Sequence, residues 1–260
     1  MNIIVCVKQV PNTTDVKIDP KTNTLIREGV ESVVNPFDTY AIEESIRLKE
    51  RFGGRITVIT MGPPQAEACL REAISLGADE GILISDRAFA GSDTWATSYT
   101  LAKAIKKIGG YDIIICGKQA SDGDTAQVGP GISAHLSIPQ VTYVKRIEDI
   151  SGKKGKFERM TEEGYEVIES PLPCLITVVK EINEPRLPSL KGKMKAKSAK
   201  IQAMKADYIE CDPQSIGLDG SPTKVVKIFS PPPRGKGKVL EGDSGEMVEE
   251  LLELIKGEIQ

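Results

Sequence analysis

The 260-residue sequence predicts an α/β fold, a doubly wound and mostly parallel sheet with helices on both faces. Two observations predict it. Short apolar runs alternate repeatedly with helical patterns along the first half of the chain. The runs are apolar throughout, as in strands that are buried on both faces. Because parallel strands need a crossover connection, usually a helix, this order favours a parallel sheet.

Each predicted element has sequence support of its own. The predicted strands are Ile3–Val7, Arg55–Met61, Gly81–Ser85 and Tyr111–Cys116. The predicted helices run from Asp38 to Arg51, from Pro64 to Gly77, from Asp93 to Ile108 and from Val128 to Leu136. Asn35 and Asp93 are typical helix caps, and Pro36 is typical of a first helical position. Gly53 and Gly77 are typical of helix ends.

The pattern changes after the last of these helices. Val141–Ile147 and Phe157–Ile168 are typical of antiparallel strands around a glycine turn. Pro173–Lys180 is a further apolar strand, expected in the main sheet. We therefore predict one α/β domain over residues 1–182, with a small antiparallel hairpin at about 141–170.

Two stretches are less regular. Lys8–Val34 contains an Asp19–Asn23 turn that is typical of a small hairpin. From Asn183 the pattern weakens, and 183–229 is expected to be an irregular, lysine-rich segment. Residues 230–260 are expected to form a Pro/Gly arm that ends in an amphipathic helix. The apolar side of that helix consists of Met247, Val248, Leu251, Leu252 and Ile255. Such a stripe needs a surface on its own domain or on a partner subunit.

Charge and cysteine usage narrow the function classes. The net charge of −3 does not favour nucleic-acid binding. The N-terminus does not resemble a signal peptide, and no apolar run approaches a membrane span. The five cysteines lack metal-ligand or redox-motif spacing, as expected of reduced thiols in a cytoplasmic protein. With His135 the single histidine, we predict no metal site and no catalytic constellation. Glu43 and Glu44 are expected to be solvated charges on a helix face.

The stretch Gly117–Pro130 is the main functional candidate. It leaves a buried strand, is rich in small residues and leads into a predicted helix. Nucleotides bind at such a sheet edge, because free N–H groups and the helix dipole favour an anion. Asp124 or Thr125 is expected to cap the helix, and Asp122 to accept a bond from a ribose hydroxyl. An ordinary capped loop would look similar, since the stretch matches neither G-x-G-x-x-G nor a Walker A loop.

Several separated blocks resemble the β subunit of electron transfer flavoprotein (ETF), and the resemblance covers nearly the whole chain. The blocks are Val5–Pro11, Asn35–Asp38, Ile59–Pro63 and the loop that starts at Gly117. The resemblance implies a Rossmann-like, adenine-nucleotide-binding domain. The residues that it implies around the nucleotide are Cys6, Asn35, Pro36, Phe37, Asp38, Met61, Gly62, Gly117, Lys118, Gln119, Ala120, Ser121, Asp122, Gly123, Asp124, Thr125, Ala126, Gln127 and Val128.

The nucleotide is expected to be FAD, with AMP as the alternative. ETFs that bind AMP usually have an acid-rich loop, whereas this chain has Gly123 and Ala126 there. That form and the block Ser85–Ser98 resemble ETFs that bifurcate electrons, in which the β subunit binds a second FAD. Thr94 and Thr97 lie one helical turn apart in this block and are expected to face the pyrophosphate, together with the backbone near Gly91.

A partner site is expected at Glu184–Leu190. This stretch resembles the ETF recognition loop, whose leucine anchors on a partner dehydrogenase. By position Leu190 is the anchor, although the Leu-Pro that follows in the family is absent here. The lysines between Lys191 and Lys200 would steer an acidic partner or form a solvated basic arm.

The resemblance implies a β subunit that pairs with an ETF α subunit carrying its own FAD. In the bifurcating form NADH reduces the β flavin. One electron then goes to ferredoxin or flavodoxin, and the other passes through the α flavin to an acyl-CoA dehydrogenase or a quinone-linked oxidoreductase. NADH-dependent activity thus belongs to the α/β complex.

Two alternatives stay open. One is a conventional ETF β subunit that binds structural AMP and passes on electrons from acyl-CoA dehydrogenases. The other is a nucleotide-binding regulatory protein of the stress-protein type, against which the extension beyond Asn183 argues.

Overall fold

The computed structural model describes residues 1–12, 32–226 and 237–258. The strands are β1 (Asn2–Cys6), β2 (Gln9–Pro11), β3 (Ser32–Val34), β4 (Arg55–Met61), β5 (Glu80–Ile84), β6 (Ile113–Gly117), β7 (Gln140–Ser151), β8 (Lys154–Met160), β9 (Tyr165–Pro171), β10 (Cys174–Val178) and β11 (Gln202–Met204). The α-helices are α1 (Pro36–Phe52), α2 (Glu67–Leu76), α3 (Thr94–Ile108), α4 (Val128–Leu136), α5 (Leu190–Ser198) and α6 (Ser244–Glu258). In these residues no helix is long and apolar enough to cross a membrane.

Nine of the strands form one sheet, in the order β11-β5-β4-β1-β6-β10-β7-β8-β9. The sheet is parallel from β11 to β7, and its centre is in simple register, with Ile3 opposite Ile56 on one side and Ile113 on the other. Helices α1 and α2 bury their apolar sides on one face, and α3 and α4 on the other. The predicted doubly wound sheet is therefore confirmed, and the strand order reverses between β1 and β6.

The antiparallel extension has three strands. β7, β8 and β9 pair antiparallel in sequence order, and β10 returns to the sheet between β6 and β7, as expected. The prediction of one strand over Phe157–Ile168 was wrong. A turn divides it, in which the Thr161 N–H donates to the Gly164 carbonyl at 2.8 Å. Gly164 has a φ of 154°, which side chains rarely adopt.

The chain beyond Asn183 is more regular than expected. The lysine-rich run forms α5, whose first turn is capped by Ser189, which accepts a bond from the Gly192 N–H at 3.0 Å. β11 then extends the main sheet beside β5. By their contacts, the described residues up to Val226 form one compact unit, and residues 237–258 belong to another.

Helix α6 belongs to the second unit, and its apolar side is exposed. The exposed apolar residues of this helix are Val248, Leu251, Leu252, Leu254 and Ile255. The predicted hairpin around Asp19–Asn23 lies outside the described residues. On either side of it, β2 and β3 pair antiparallel.

Candidate nucleotide-binding edge

The parallel strands bring most of the predicted site residues to one edge of the sheet. Cys6 ends β1, Met61 ends β4 and Gly117 ends β6, while α3 follows β5. Since these strands run parallel, their C-terminal ends share an edge. The central loop, residues 117–128, leaves this edge beside the point where the strand order reverses. Open α/β sheets bind ligands in that crevice.

The Asn35 side chain is hydrogen-bonded to the central loop and not to the first turn of α1. Its Nδ2 donates to the Gln119 carbonyl at 2.8 Å, and its Oδ1 accepts from the Ser121 N–H at 3.0 Å. Asn35 is the N-cap residue of α1, as predicted, but its side chain makes no cap hydrogen bond. The Asn35 carbonyl already accepts from the Asp38 N–H at 2.8 Å, and Pro36 has no N–H to satisfy. This leaves the buried amide free to bridge to the loop.

Asp38 lies buried below the loop and connects the ends of β1 and β6. Its Oδ2 accepts from the Lys8 N–H at 2.7 Å, and its carboxylate also accepts from the Gly117 N–H. A Cβ at Gly117 would lie 2.3 Å from Asp38 Oδ1, so a glycine is required there. Burial raises the pKa of Asp38 from 3.8 to about 7, against the opposing effect of hydrogen bonds from Asn35, Lys8 and Gly117.

Both carboxylates of the central loop have partners within the chain. The Lys8 Nζ lies 2.6 Å from Asp122 Oδ1, and Asp124 accepts a bond from the Gln119 side chain. Lys8 was not among the predicted site residues, although it directly follows the end of a strand in one of the resembling blocks. These contacts leave less unpaired negative charge on the loop than its sequence suggests.

The N-terminus of α4 has no side-chain cap. Its cap residue is Gln127, so the expected capping by Asp124 or Thr125 is wrong. Asp124 and Ala126 instead take left-handed backbone conformations, with φ of 52° and 54°. The first N–H groups of α4 thus receive no side-chain oxygen, which suits an anionic ligand.

Glycines shape the loop and its helix. An added Cβ at Gly123 would meet no atom within 4 Å, so the loop is open at this position. At Gly129 it would lie 2.7 Å from Thr177 Cγ2, and at Gly131 it would lie 2.5 Å from Ser98 Oγ. The last two let α4 pack closely on β10 and α3.

The start of α3 is capped as predicted. Asp93 Oδ1 accepts from the N–H groups of Trp95 and Ala96 at 3.0 and 3.1 Å. Its Oδ2 accepts from the Thr223 N–H and hydroxyl. Thr94 and Thr97 are partly buried in the first turn. The backbone near Gly91 lies against this chain's own Leu218, since a Cβ there would be 2.5 Å from Leu218 Cγ.

Cys6 and Cys116 are neighbours at the same edge, in register on β1 and β6. A hydrogen bond with Cys6 and burial raise the pKa of the Cys116 thiol well above its usual range. In the described residues no group of three or more His, Cys, Asp or Glu side chains could hold a metal ion.

Leu190, and the pair Glu43 and Glu44, lie away from these strand ends. Leu190 is the first residue of α5 and is 78% exposed. The expectation of solvated Glu43 and Glu44 was wrong, because both are buried on α1. Glu43 pairs with Arg47 and Arg186. A long-range partner of this kind leaves no local signal in the sequence.

Comparisons with known proteins agree with this architecture. A family model described as an electron transfer flavoprotein domain matches residues 22–208. The β subunit of an electron transfer flavoprotein from Thermoanaerobacterium thermosaccharolyticum is 54% identical over 254 residues, covering 97% of each chain. Subunit CarD of the caffeyl-CoA reductase–Etf complex from Acetobacterium woodii is 51% identical, covering 97% of this chain and 98% of CarD. Protein FixA from Azotobacter vinelandii is 48% identical, covering 91% and 86%. The chain therefore belongs to the electron transfer flavoprotein family, as a β subunit.

Proposed function

We propose that this chain is the β subunit of an electron-bifurcating ETF and holds FAD at the edge formed by β1, β4 and β6. The observation that carries the proposal is the open central loop above an uncapped helix. Gly123 leaves space for a ligand, and α4 presents backbone donors for its phosphates. The loop carboxylates are engaged with Lys8 and Gln119, which reduces their repulsion of an anion.

The residues of the edge fit an adenine nucleotide. In this proposal the central loop and the start of α4 hold the phosphates, with Thr94 and Thr97 beside them. Asn35 and Asp38 support this site without contacting the phosphates, since their hydrogen bonds hold the loop at the ends of the strands. A bound FAD would supply hydride acceptance and one-electron transfer, while the chain supplies position and electrostatics. NADH is the proposed electron donor.

The relatives support a redox role without deciding the nucleotide. CarD is named as part of a caffeyl-CoA reductase–Etf complex, and the similarity to it favours the bifurcating form. A conventional β subunit with AMP at the same edge is the alternative. In that form AMP would bind to the same loop. The two forms therefore differ in the nucleotide that stays bound at this edge during purification, FAD or AMP.

The proposed partners follow from the same function. An ETF α subunit with its own FAD completes the heterodimer, and the exposed apolar side of α6 supports a protein surface as its partner. Ferredoxin or flavodoxin would take one electron. An acyl-CoA dehydrogenase or a quinone-linked oxidoreductase would take the other and dock at Leu190. A cytoplasmic location is consistent with these partners.

The nucleotides released from the purified heterodimer test the proposal. We expect two FAD and no AMP per heterodimer after denaturation, by chromatography against standards. One FAD and one AMP would contradict the proposal and favour the conventional form. A colourless chain, without flavin, that forms a stable homodimer would favour the regulatory protein.

A further inference from the structure

Leu187 and Leu190 follow a segment that is bound to α1 by several hydrogen bonds. The Arg186 Nε donates to Glu43 Oε2 at 2.8 Å and its Nη1 donates to Glu50 Oε1 at 2.6 Å. The Arg186 backbone N–H also donates to Glu43, at 3.1 Å. Asn183 Nδ2 donates to the Tyr40 carbonyl, at 3.0 Å. Arg186 thus joins two carboxylates of α1 that lie seven residues apart in the sequence.

Glu43 is the buried centre of this contact, with only 3% of its surface exposed. Burial favours its neutral form, but the hydrogen bonds from Arg186 and Arg47 outweigh burial and lower the pKa of Glu43 below its usual range. The carboxylate therefore stays charged and keeps two arginine partners. Bidentate arginine–carboxylate contacts are directional as well as strong.

The other end of the segment is held on α2. The Lys195 Nζ donates to the Ala78 carbonyl at 2.8 Å, and Arg71 donates to the Ala196 carbonyl at 2.6 Å. A Cβ at Gly192 would lie 2.0 Å from the Ser75 carbonyl oxygen, so α5 approaches α2 closely. α5 is therefore fixed against α2.

Between these two anchors lie the most exposed leucines of the residues that the structure describes. Leu187 is 90% exposed and Leu190 is 78% exposed. Pro185 and Pro188 restrict the backbone around them. A stiff segment takes its direction from its ends, so the contacts of Arg186 determine where the leucines point.

We propose that Arg186 is a positioning residue for partner docking: its clamp on Glu43 and Glu50 holds Leu187 and Leu190 in the orientation that the partner dehydrogenase binds. This inference rests on the proposed docking of Leu190. The partner is the acyl-CoA dehydrogenase or quinone-linked oxidoreductase of the proposed function, and the clamp orders the segment before binding. Pre-ordering reduces the conformational entropy that is lost on association.

The test uses the complete heterodimer and varies the concentration of the partner dehydrogenase. For Arg186→Gln we expect the apparent KM for the partner to rise about tenfold, equivalent to a weakening of binding by about 1.4 kcal/mol. We expect kcat and the nucleotide content to be unchanged. Arg186→Lys should rescue part of the loss, since a lysine can keep one of the two carboxylates. Arg51→Gln, on α1 with Glu43 and Glu50 but outside the clamp, is the matched control.

A double variant separates positioning from general destabilisation. If Arg186 acts through the leucines, adding Arg186→Gln to the double variant Leu187→Ala, Leu190→Ala should raise the KM no further than the two leucine changes alone. An unchanged KM for Arg186→Gln beside a raised KM for Leu190→Ala would overturn the clamp and leave the docking site intact. Additive losses, or a loss of nucleotide and kcat, would also overturn it. An unchanged KM for Leu190→Ala would instead refute the docking proposal itself.

Discussion

At the scale of single residues, polar side chains at the candidate site act over long distances in the sequence. Asn35 reaches a carbonyl 84 residues away, and Asp38 joins the N–H groups of Lys8 and Gly117. The sequence predicts that Asn35 and Pro36 begin a helix, and they do. It cannot show that the backbone supplies the cap bond, which frees the amide for another element.

The pH dependence of stability tests the burial of Asp38. Between pH 3.8 and about 7 the folded chain holds a proton on this carboxyl that the unfolded chain has lost, so its contribution to stability falls as the pH rises through this window. From pH 5 to pH 8 the expected loss is roughly 2–3 kcal/mol. Asp38→Asn should remove this part of the pH dependence.

Urea unfolding at several pH values measures the free energy of unfolding of the natural chain and of the Asp38→Asn variant. Burial also raises the pKa of Glu44 and of Glu72, and both are present in each variant, so the difference between the two profiles isolates Asp38. Parallel profiles for the two chains would show that Asp38 ionises normally in the folded state.

Gly123 offers a substitution that adds charge without a clash. Gly123→Asp places a carboxylate in open space beside the proposed pyrophosphate, where like-charge repulsion costs about 1 kcal/mol or more. We expect FAD at this edge to bind at least about fivefold more weakly, with the α-subunit FAD retained. Gly123→Ala fills the same space without charge and should bind as the natural chain does.

Fluorescence titration of FAD into deflavinated heterodimer compares the three proteins. Equal affinity of the aspartate variant and the natural chain would remove the central loop from the FAD site. Equal weakening by alanine and aspartate would point to the shape of the loop rather than to its charge.

At the scale of elements, α1 serves two surfaces. Its first turn carries Asp38 at the nucleotide edge, and its later turns hold Arg186 through Glu43 and Glu50.

α5 shows the limit of hydrophobic periodicity as a signal for secondary structure. Its lysine-rich sequence has no apolar stripe, so the pattern predicted irregular structure, whereas the contact with Arg71 of α2 and the Ser189 cap stabilise a helix.

The exposed apolar side of α6 predicts a heterodimer contact. Leu251 and Leu252 are exposed in the chain alone. We expect Leu251→Glu combined with Leu252→Glu to weaken assembly with the α subunit, because each change puts a charge into a contact that assembly would bury. Glu249→Gln combined with Glu253→Gln, on the polar side of the helix, should leave assembly unchanged. Light scattering of mixed subunits measures the heterodimer. Undiminished assembly of the leucine variant would show that α6 does not bind α.

At the scale of the whole molecule, the sequence predicted the order of the main strands and helices but not all of their neighbours. Apolar runs such as Ile113–Ile115 are buried on both faces and are recognisable alone. β11 has only three residues, and its partner β5 lies more than a hundred residues earlier, so no local pattern could predict the pairing. The same limit applies to long-range contacts: no local pattern predicts that Lys8 pairs with Asp122 of the central loop or that Arg186 pairs with Glu43 of α1.

The electron balance of the complete system tests the central claim most directly. The heterodimer, NADH, ferredoxin and the partner dehydrogenase with its acceptor are mixed without oxygen, and the reduction of both acceptors is followed by absorbance. We predict that NADH reduces ferredoxin only while the high-potential acceptor is present, and that the two branches receive equal numbers of electrons. Full reduction of the high-potential acceptor with none of the ferredoxin would contradict bifurcation by this β subunit.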